Sequence, residues 1–164
     1  MIGYLKGYAY DVEITRVLSR EREIDYVFGI DIPCITNRNQ DVDLNEALLQ
    51  LRQKTTGEHG VFLLRCFDDL TSAMKHADDT GFYCYRAIES LRHHCAARNN
   101  LREANKVQQW QAFRDISGVE ETSIRLIKAA ADPLRHGEPG TEAIDRAELF
   151  TTTWAIVDAY LSKV

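Results

Sequence analysis

The feature that most constrains the fold is an apolar pattern near the end of the chain. Apolar side chains recur there at steps of four, three, four, three and four residues: Ala143, Ala147, Phe150, Trp154, Val157 and Leu161. This spacing places all six on one face of an α-helix of about five turns. Because such a face must be buried against other elements, we expect further helices in the same domain.

Three earlier segments carry the same kind of pattern. Their apolar positions are Cys84, Ile88, Leu91 and Cys95, then Val107, Trp110 and Phe113, then Ile124, Ile127, Ala131 and Leu134. Asn99-Asn100 and Gly118 are expected to end the first two helices, and Pro133 to distort or end the third. Four amphipathic segments with short connections predict an antiparallel helical bundle.

The N-terminal part has a different period. Residues 8–15 alternate apolar and polar side chains, residues 19–22 form a polar break, and residues 24–32 alternate again. Period-two alternation is typical of half-buried strands, so the two runs predict an antiparallel hairpin. Pro33 is expected to end the second strand because it has no N–H for the ladder.

Between the hairpin and the bundle the pattern is mixed. Residues 36–41 are polar and predict a linker, and Asp43 is a candidate cap for a helix with apolar residues at 44, 47, 48 and 51. Residues 54–60 break that helix. Residues 61–64 fit either a third strand or the start of a helix, and residues 68–77 fit a helix.

These patterns predict an α+β fold that is mostly α. We expect an N-terminal β-hairpin or small antiparallel sheet in residues 1–40, followed by an antiparallel four- to five-helix bundle in residues 41–164.

Composition narrows the class of protein. The chain has 164 residues, of which 45% are hydrophobic and 27% charged, as in an ordinary globular domain. It has no apolar run of about 18 residues and does not begin like a signal peptide, so we expect a cytoplasmic protein without a membrane anchor. The four cysteines are expected to be reduced. A zinc site at Cys84, His93, His94 and Cys95 is conceivable, although their spacing fits no standard ligand pattern.

Charge is unevenly distributed. The net charge is −5, yet residues 81–140 carry nine basic and seven acidic side chains. A mildly basic middle region favours a phosphate-bearing partner, but it is too weak for a protein that holds duplex nucleic acid by charge alone.

Two polar clusters are candidates for a functional site. Arg86, Glu89 and His93 share one helical face at i, i+3 and i+7. Their alternative interpretation is an ordinary surface salt bridge. Residues 128–137 read K-A-A-A-D-P-L-R-H-G and place Asp132, Arg135 and His136 at a helix end, where cations are also common without any function.

If the helices that carry them pack side by side, the two clusters form one shared site. The shared site would then combine a histidine suited to proton transfer with arginines suited to holding phosphate. We predict His136, Arg135, Asp132 and Glu89 as candidate catalytic residues, and Arg86 and His93 as candidate binding residues. Glycine-rich phosphate loops, nucleophile elbows, zinc-protease helices and dinucleotide fingerprints are absent from the sequence, so we expect no metal and no cofactor.

Three strings in the second half resemble the HEPN domain, a small helical bundle of prokaryotic nucleotide-binding and RNA-cleaving modules. They are F-Y-C-Y-R-A-I-E-S-L-R from Phe82, A-D-P-L-R-H-G from Ala131, and T-T-W-A-I-V-D-A-Y-L up to Leu161. The resemblance covers about residues 68–164. It implies dimerisation, a setting in bacterial defence or toxin–antitoxin systems, and metal-independent cleavage of RNA.

The resemblance fails at one position that matters for catalysis. In the family an arginine precedes the catalytic histidine by four to six residues, often followed by a polar residue. His136 matches the histidine and Asp132 the polar residue, but residues 129–131 are all alanine. Arg135 would therefore have to hold the phosphate from another direction.

Three functions remain open at this stage. The first is a HEPN-like interaction or regulatory module, homodimeric, with a protein partner. The second is a metal-independent endoribonuclease that uses His136 and Arg135. The third is a nucleotide-sensing domain whose polar clusters hold a phosphate group.

Overall fold

The computed structural model describes residues 16–27, 31–138 and 145–164. The chain divides into two compact units, residues 1–31 and residues 32–164. The sequence predicts a boundary between residues 40 and 41. That position lies further along the chain than the division after residue 31, beyond the first described helix. The fold is α+β and mostly α, with a two-stranded antiparallel sheet in the first unit and helices in the second.

The first unit contains the predicted hairpin. Strand β1, Arg16–Ser19, pairs antiparallel with β2, Ile24–Val27. Arg16 lies opposite Val27, and its Nε donates to the Asp25 carboxylate at 2.9 Å. Ser19 is the last residue of β1, and the polar break that follows is the turn. The strand predicted over residues 8–15 lies outside the described residues.

The second unit contains seven helices in its described part. Their bounds are α1 Pro33–Arg38, α2 Leu44–Thr55, α3 Gly60–Lys75, α4 Thr80–Arg98, α5 Lys106–Ser117, α6 Glu121–Arg135 and α7 Arg146–Leu161. A short 3₁₀ turn, Ala77–Asp79, joins α3 to α4. None of the described helices combines the length and apolarity needed to cross a membrane.

Helix α1 was not expected. Pro33 was predicted to end a strand, but it starts α1 instead, because the first turn of a helix has no use for the N–H that proline lacks. Residues 36–38, predicted as linker, belong to the same helix. Ile35 is buried, and Arg38 forms an ion pair with Asp158 of α7.

Helix α4 is the centre of the bundle and contacts α3, α5, α6 and α7. Its predicted apolar stripe, Cys84, Ile88, Leu91 and Cys95, is fully buried. Helix α5 ends at Gly118, whose φ of 70° is the left-handed conformation that glycine adopts easily. In α7 the buried residues include Phe150, Val157 and Tyr160, so the apolar face of this helix is used inside the chain.

Helix α2 differs from the others because none of its residues is buried. Asp43 caps it as predicted, accepting hydrogen bonds from the N–H groups of Asn45 and Glu46 at 2.9 and 3.2 Å. The apolar pattern therefore predicts the helix correctly, but none of the residues in the helix is buried.

Candidate functional site

A polar groove runs between α3 and α4. It has a volume of about 350 Å³, and its lining comes from two polar stripes: Arg65, Asp68 and Asp69 on α3, and Arg86, Glu89, Ser90 and His93 on α4. We call it the α3/α4 groove. All three residues of the predicted Arg86 cluster lie in this groove.

Asp69 and Arg86 face each other across the groove. The Arg86 Nη2 lies 3.3 Å from the Asp69 Oδ1, and the Asp69 side chain is only 9% exposed. Burial raises the pKa of Asp69, and the Arg86 charge opposes that rise. The Arg86 guanidinium also lies over the ring of Phe82, 5.4 Å from its centroid. Arg86 is thus held from two sides.

Glu89 has a different partner. Its Oε1 accepts a hydrogen bond from the Lys106 Nζ at 2.9 Å, which ties α4 to the first turn of α5. The Lys106 side chain is more than half exposed, so this ion pair adds little to stability.

His93 ends a partly buried chain of hydrogen bonds. The Nε2 of its ring lies 2.9 Å from the Arg92 Nη2, and a second guanidinium nitrogen of Arg92 donates to Gln109. The Gln109 amide nitrogen donates to the backbone carbonyls of Leu101, Arg102 and Ala104. Burial and the Arg92 charge both lower the pKa of His93. The imidazole is therefore neutral near pH 7.

The second predicted cluster lies near the end of α6. Asp132 forms ion pairs with Arg135 at 3.5 Å and with Lys128 at 3.6 Å. The Arg135 guanidinium also lies over the ring of Tyr85, 5.9 Å from its centroid. Burial and the Glu89 carboxylate raise the pKa of Tyr85 to about 12, so its phenol is protonated near pH 7.

His136 is exposed and belongs to the cap that ends α6. The Gly137 N–H donates to the Leu134 carbonyl at 3.2 Å, and the Glu138 N–H to the Pro133 carbonyl at 3.0 Å. With Gly137 at φ 76°, this is a Schellman motif. The backbone at His136 thus has an ordinary structural role.

The structure does not join the two predicted clusters. Their helices, α4 and α6, pack against each other. Within the described residues, however, no hydrogen bond or ion pair links Glu89 to Asp132, Arg135 or His136. Charges from both clusters act on the pKa of Tyr85: Glu89 and Asp132 raise it and Arg135 lowers it. A catalytic role for these residues stays a prediction.

The described part of the chain offers no metal site. No group of three or more His, Cys, Asp or Glu side chains there is placed to hold a metal ion. His94, one of the conceivable zinc ligands, lies 2.7 Å from the Tyr160 hydroxyl instead.

A larger and more apolar groove lies beside α2. Its volume is about 720 Å³, and α1, α2, α3 and α7 all contribute to its walls. Its apolar lining consists of Val42, Leu44, Ala47, Leu48, Leu51, Phe67, Leu70, Met74, Trp154, Val157 and Leu161. We call it the α2 groove.

Sequence reasoning missed the α3 side of the first groove, Arg65, Asp68 and Asp69, and the buried Arg92 that contacts His93. Arg65, Asp68 and Asp69 stand at i, i+3 and i+4, so they share one face of α3. Pairing that stripe with the one on α4 would have revealed the groove.

One protein family is shown by comparison of sequences. The family described as "Domain of unknown function (DUF8168) C-terminal domain" matches residues 48–164, more than half of the chain, and the chain belongs to this family. Neither a curated protein nor a solved structure matches the chain.

Proposed function

We propose that this member of the DUF8168 C-terminal domain family is a homodimeric interaction module that acts as a regulatory or partner subunit. The observation that carries the proposal is the open apolar face of α2. Leu44, Leu48 and Leu49 are 71%, 63% and 58% exposed. Contiguous exposed apolar residues of this kind are typical of protein-binding surfaces.

The α2 groove is an apolar surface that matches the apolar residues of α2 in a second copy of the chain. Phe67, Met74 and Trp154 form part of its wall, and all three are only partly buried. An amphipathic helix commonly binds such a groove through apolar residues spaced three and four apart. Leu44, Leu48 and Leu51 have that spacing.

A second copy of the chain is the partner that fits best. Each copy supplies an apolar groove, and α2 with Leu44 and Leu48 forms one wall of it. Two such surfaces related by a two-fold axis cover each other, and two-fold dimers are the commonest oligomers of soluble proteins. On α7, by contrast, Phe150 and Tyr160 are buried within one chain, so this helix contributes to the groove mainly through the partly buried Trp154 and Leu161.

The experiment is a mass measurement by light scattering on three proteins. We expect a dimer for the unchanged chain and a single-chain mass for Leu48→Lys, because a charge would then have to be buried at the interface. Val107→Lys is the matched control, since Val107 is 75% exposed on α5 and does not line the α2 groove. A single-chain mass for the unchanged protein, or an equal loss of dimer in both variants, would contradict the proposal.

A metal-independent endoribonuclease is the second candidate. The observation that favours it is the Asp132–Arg135 ion pair beside His136, which orients a guanidinium next to a potential proton-transfer group. We expect any RNA cleavage to fall by about 10²-fold or more in His136→Ala and to be unchanged in His76→Ala. If the His136 variant cleaves as fast as the unchanged chain, His136 is not the catalytic group.

A further inference from the structure

We propose that the α3/α4 groove binds a small oxyanion, a carboxylate or a phosphate group, with Arg65 and the Nδ1–H of His93 as donors. This site is separate from the α2 groove, and from Asp132, Arg135 and His136. It concerns a ligand rather than a protein partner, so it goes beyond the proposed function.

The first argument is the state of the His93 ring. An arginine nitrogen only donates hydrogen bonds, so the contact with Arg92 requires Nε2 of His93 to be the acceptor. The ring proton must then be on Nδ1. That nitrogen makes no hydrogen bond to any residue in the described ranges. His93 lines the groove and therefore offers it a donor in a fixed tautomer.

The second argument is that the network behind His93 is built to hold it in that state. Carbonyl groups only accept hydrogen bonds, so the three that Gln109 contacts fix its amide nitrogen on their side. Its Oε1 must then face Arg92, which is 4% exposed. Arg92 and Gln109 are positioning residues, because they act on the groove through His93.

The third argument is the balance of charge. Burying a guanidinium is unfavourable without a counter-ion, yet Arg92 makes no ion pair with a described carboxylate, and its Nε is buried without a partner. Burial accordingly lowers the pKa of Arg92. The lining itself holds Arg65 and Arg86 against Asp68, Asp69 and Glu89. Arg92 and Lys106 contact lining residues from outside the groove, and counting them gives four basic side chains against three carboxylates. In a chain of net charge −5, this is a local excess of one positive charge.

Arg65 is the residue best placed to use that excess. It is exposed at the groove and, among the described residues, has no hydrogen-bond or ion-pair partner. Arg86 and Lys106 are already paired with Asp69 and Glu89. A guanidinium binds carboxylate and phosphate oxygens through paired N–H groups, which suits a small oxyanion. One excess charge also fits a single anionic group better than a nucleic-acid backbone.

The tautomer is tested first, on the unchanged protein. Nitrogen-15 spectroscopy of the histidine rings near pH 7.5 distinguishes Nδ1–H from Nε2–H, and His93→Gln identifies the His93 signals. We expect the unchanged protein to show His93 as a single Nδ1–H tautomer. An Nε2–H ring, or an averaged signal of both tautomers, would overturn the donor role of His93.

Binding is tested by titrating the full chain with inorganic phosphate and, separately, with acetate. We expect a saturable shift of the His93 Nδ1 signal with at least one anion, and the anion that saturates identifies the ligand class. Arg65→Gln should weaken binding roughly tenfold, the loss of one charge-assisted contact. The matched control is Arg125→Gln, because Arg125 is an exposed arginine paired with Glu121 on α6. No saturation with either anion, or equal weakening in both variants, would overturn the proposal.

Discussion

Arg146 donates from its Nε to the Thr80 Oγ1 at 2.8 Å, which joins the first residue of α7 to the first residue of α4. The same guanidinium donates from Nη2 to the carbonyls of Ala73 and Met74 near the end of α3, at 3.2 and 2.9 Å. It also lies over the Phe150 ring, 4.9 Å from the centroid. Arg146 therefore satisfies carbonyls that the end of α3 leaves free and holds three helices together.

Arg146→Ala should lower the free energy of unfolding by about 1–3 kcal/mol, because it removes charge-assisted hydrogen bonds and takes from the partly buried Met74 carbonyl its side-chain donor. Urea denaturation followed by circular dichroism measures the change. Arg125→Ala, at an exposed ion pair, should leave the midpoint unchanged. If both variants have the midpoint of the unchanged chain, the role given to Arg146 is wrong.

His94 should make stability depend on pH. Its Nδ1 lies 2.7 Å from the Tyr160 hydroxyl, and burial lowers its pKa from 6.5 to about 4. Between those values the unfolded chain takes up a proton that the native chain does not, so stability falls as pH falls. The His94 side chain alone lowers the free energy of unfolding by up to about 1.4 kcal/mol for each pH unit of acidification in this range. Above pH 6.5 its contribution is constant.

Denaturation at several pH values between 4 and 7 measures that slope. Comparison with His94→Gln isolates the contribution of His94, since the other titrating groups are the same in both proteins. The variant should show the smaller loss of stability on acidification. Identical pH dependence in the two proteins would mean that His94 titrates normally in the folded chain.

The packing of α4 on α6 should depend on Gly81. A Cβ at this position would lie 2.9 Å from both the Cβ and the carbonyl oxygen of Ala130, closer than side chains tolerate. Gly81→Ala should therefore destabilise the protein by about 1–3 kcal/mol. Gly57→Ala is the control, because its added Cβ meets nothing nearer than 4.0 Å. Equal midpoints of thermal unfolding for the two variants would refute the close contact.

The thiols should differ in reactivity. All four cysteines are free, and Cys34 is the one that is not fully buried. Burial raises the pKa of Cys84 to about 11, and it also raises the pKa of Cys66 and Cys95. Because the thiolate is the reactive form, a thiol reagent at pH 8 should label Cys34 first and the others only on unfolding. Peptide mass spectrometry would contradict this if Cys84 were labelled as fast as Cys34.

Much of the bundle could be predicted because its helices bury one face each. The steps of Cys84, Ile88, Leu91 and Cys95 correspond to fully buried positions, and α5 ends at Gly118 as expected. Pro33 was misread because proline is compatible with both the end of a strand and the start of a helix. Periodicity shows that a face is apolar, but it does not show whether another element covers it, which is why the exposure of Leu48 could not be predicted.

The candidate site was less predictable because it depends on the alignment of one helix with another. Arg86, Glu89 and His93 were identified from one helix, but their partners Asp69, Lys106 and Arg92 come from packing and burial. Arg92 is charged and so was not expected inside the bundle. Sequence spacing within a helix gives shared faces; only the packed structure shows which faces meet.

The central claim is that two copies of this chain cover each other's α2 groove, and amide hydrogen exchange at two protein concentrations tests it most directly. At the higher concentration we predict slow exchange in α2, with faster exchange on dilution and in Leu48→Lys at both concentrations. Helix α4, which is buried within one chain, should be equally protected throughout. Exchange in α2 that is the same at both concentrations and in the variant would contradict the claim.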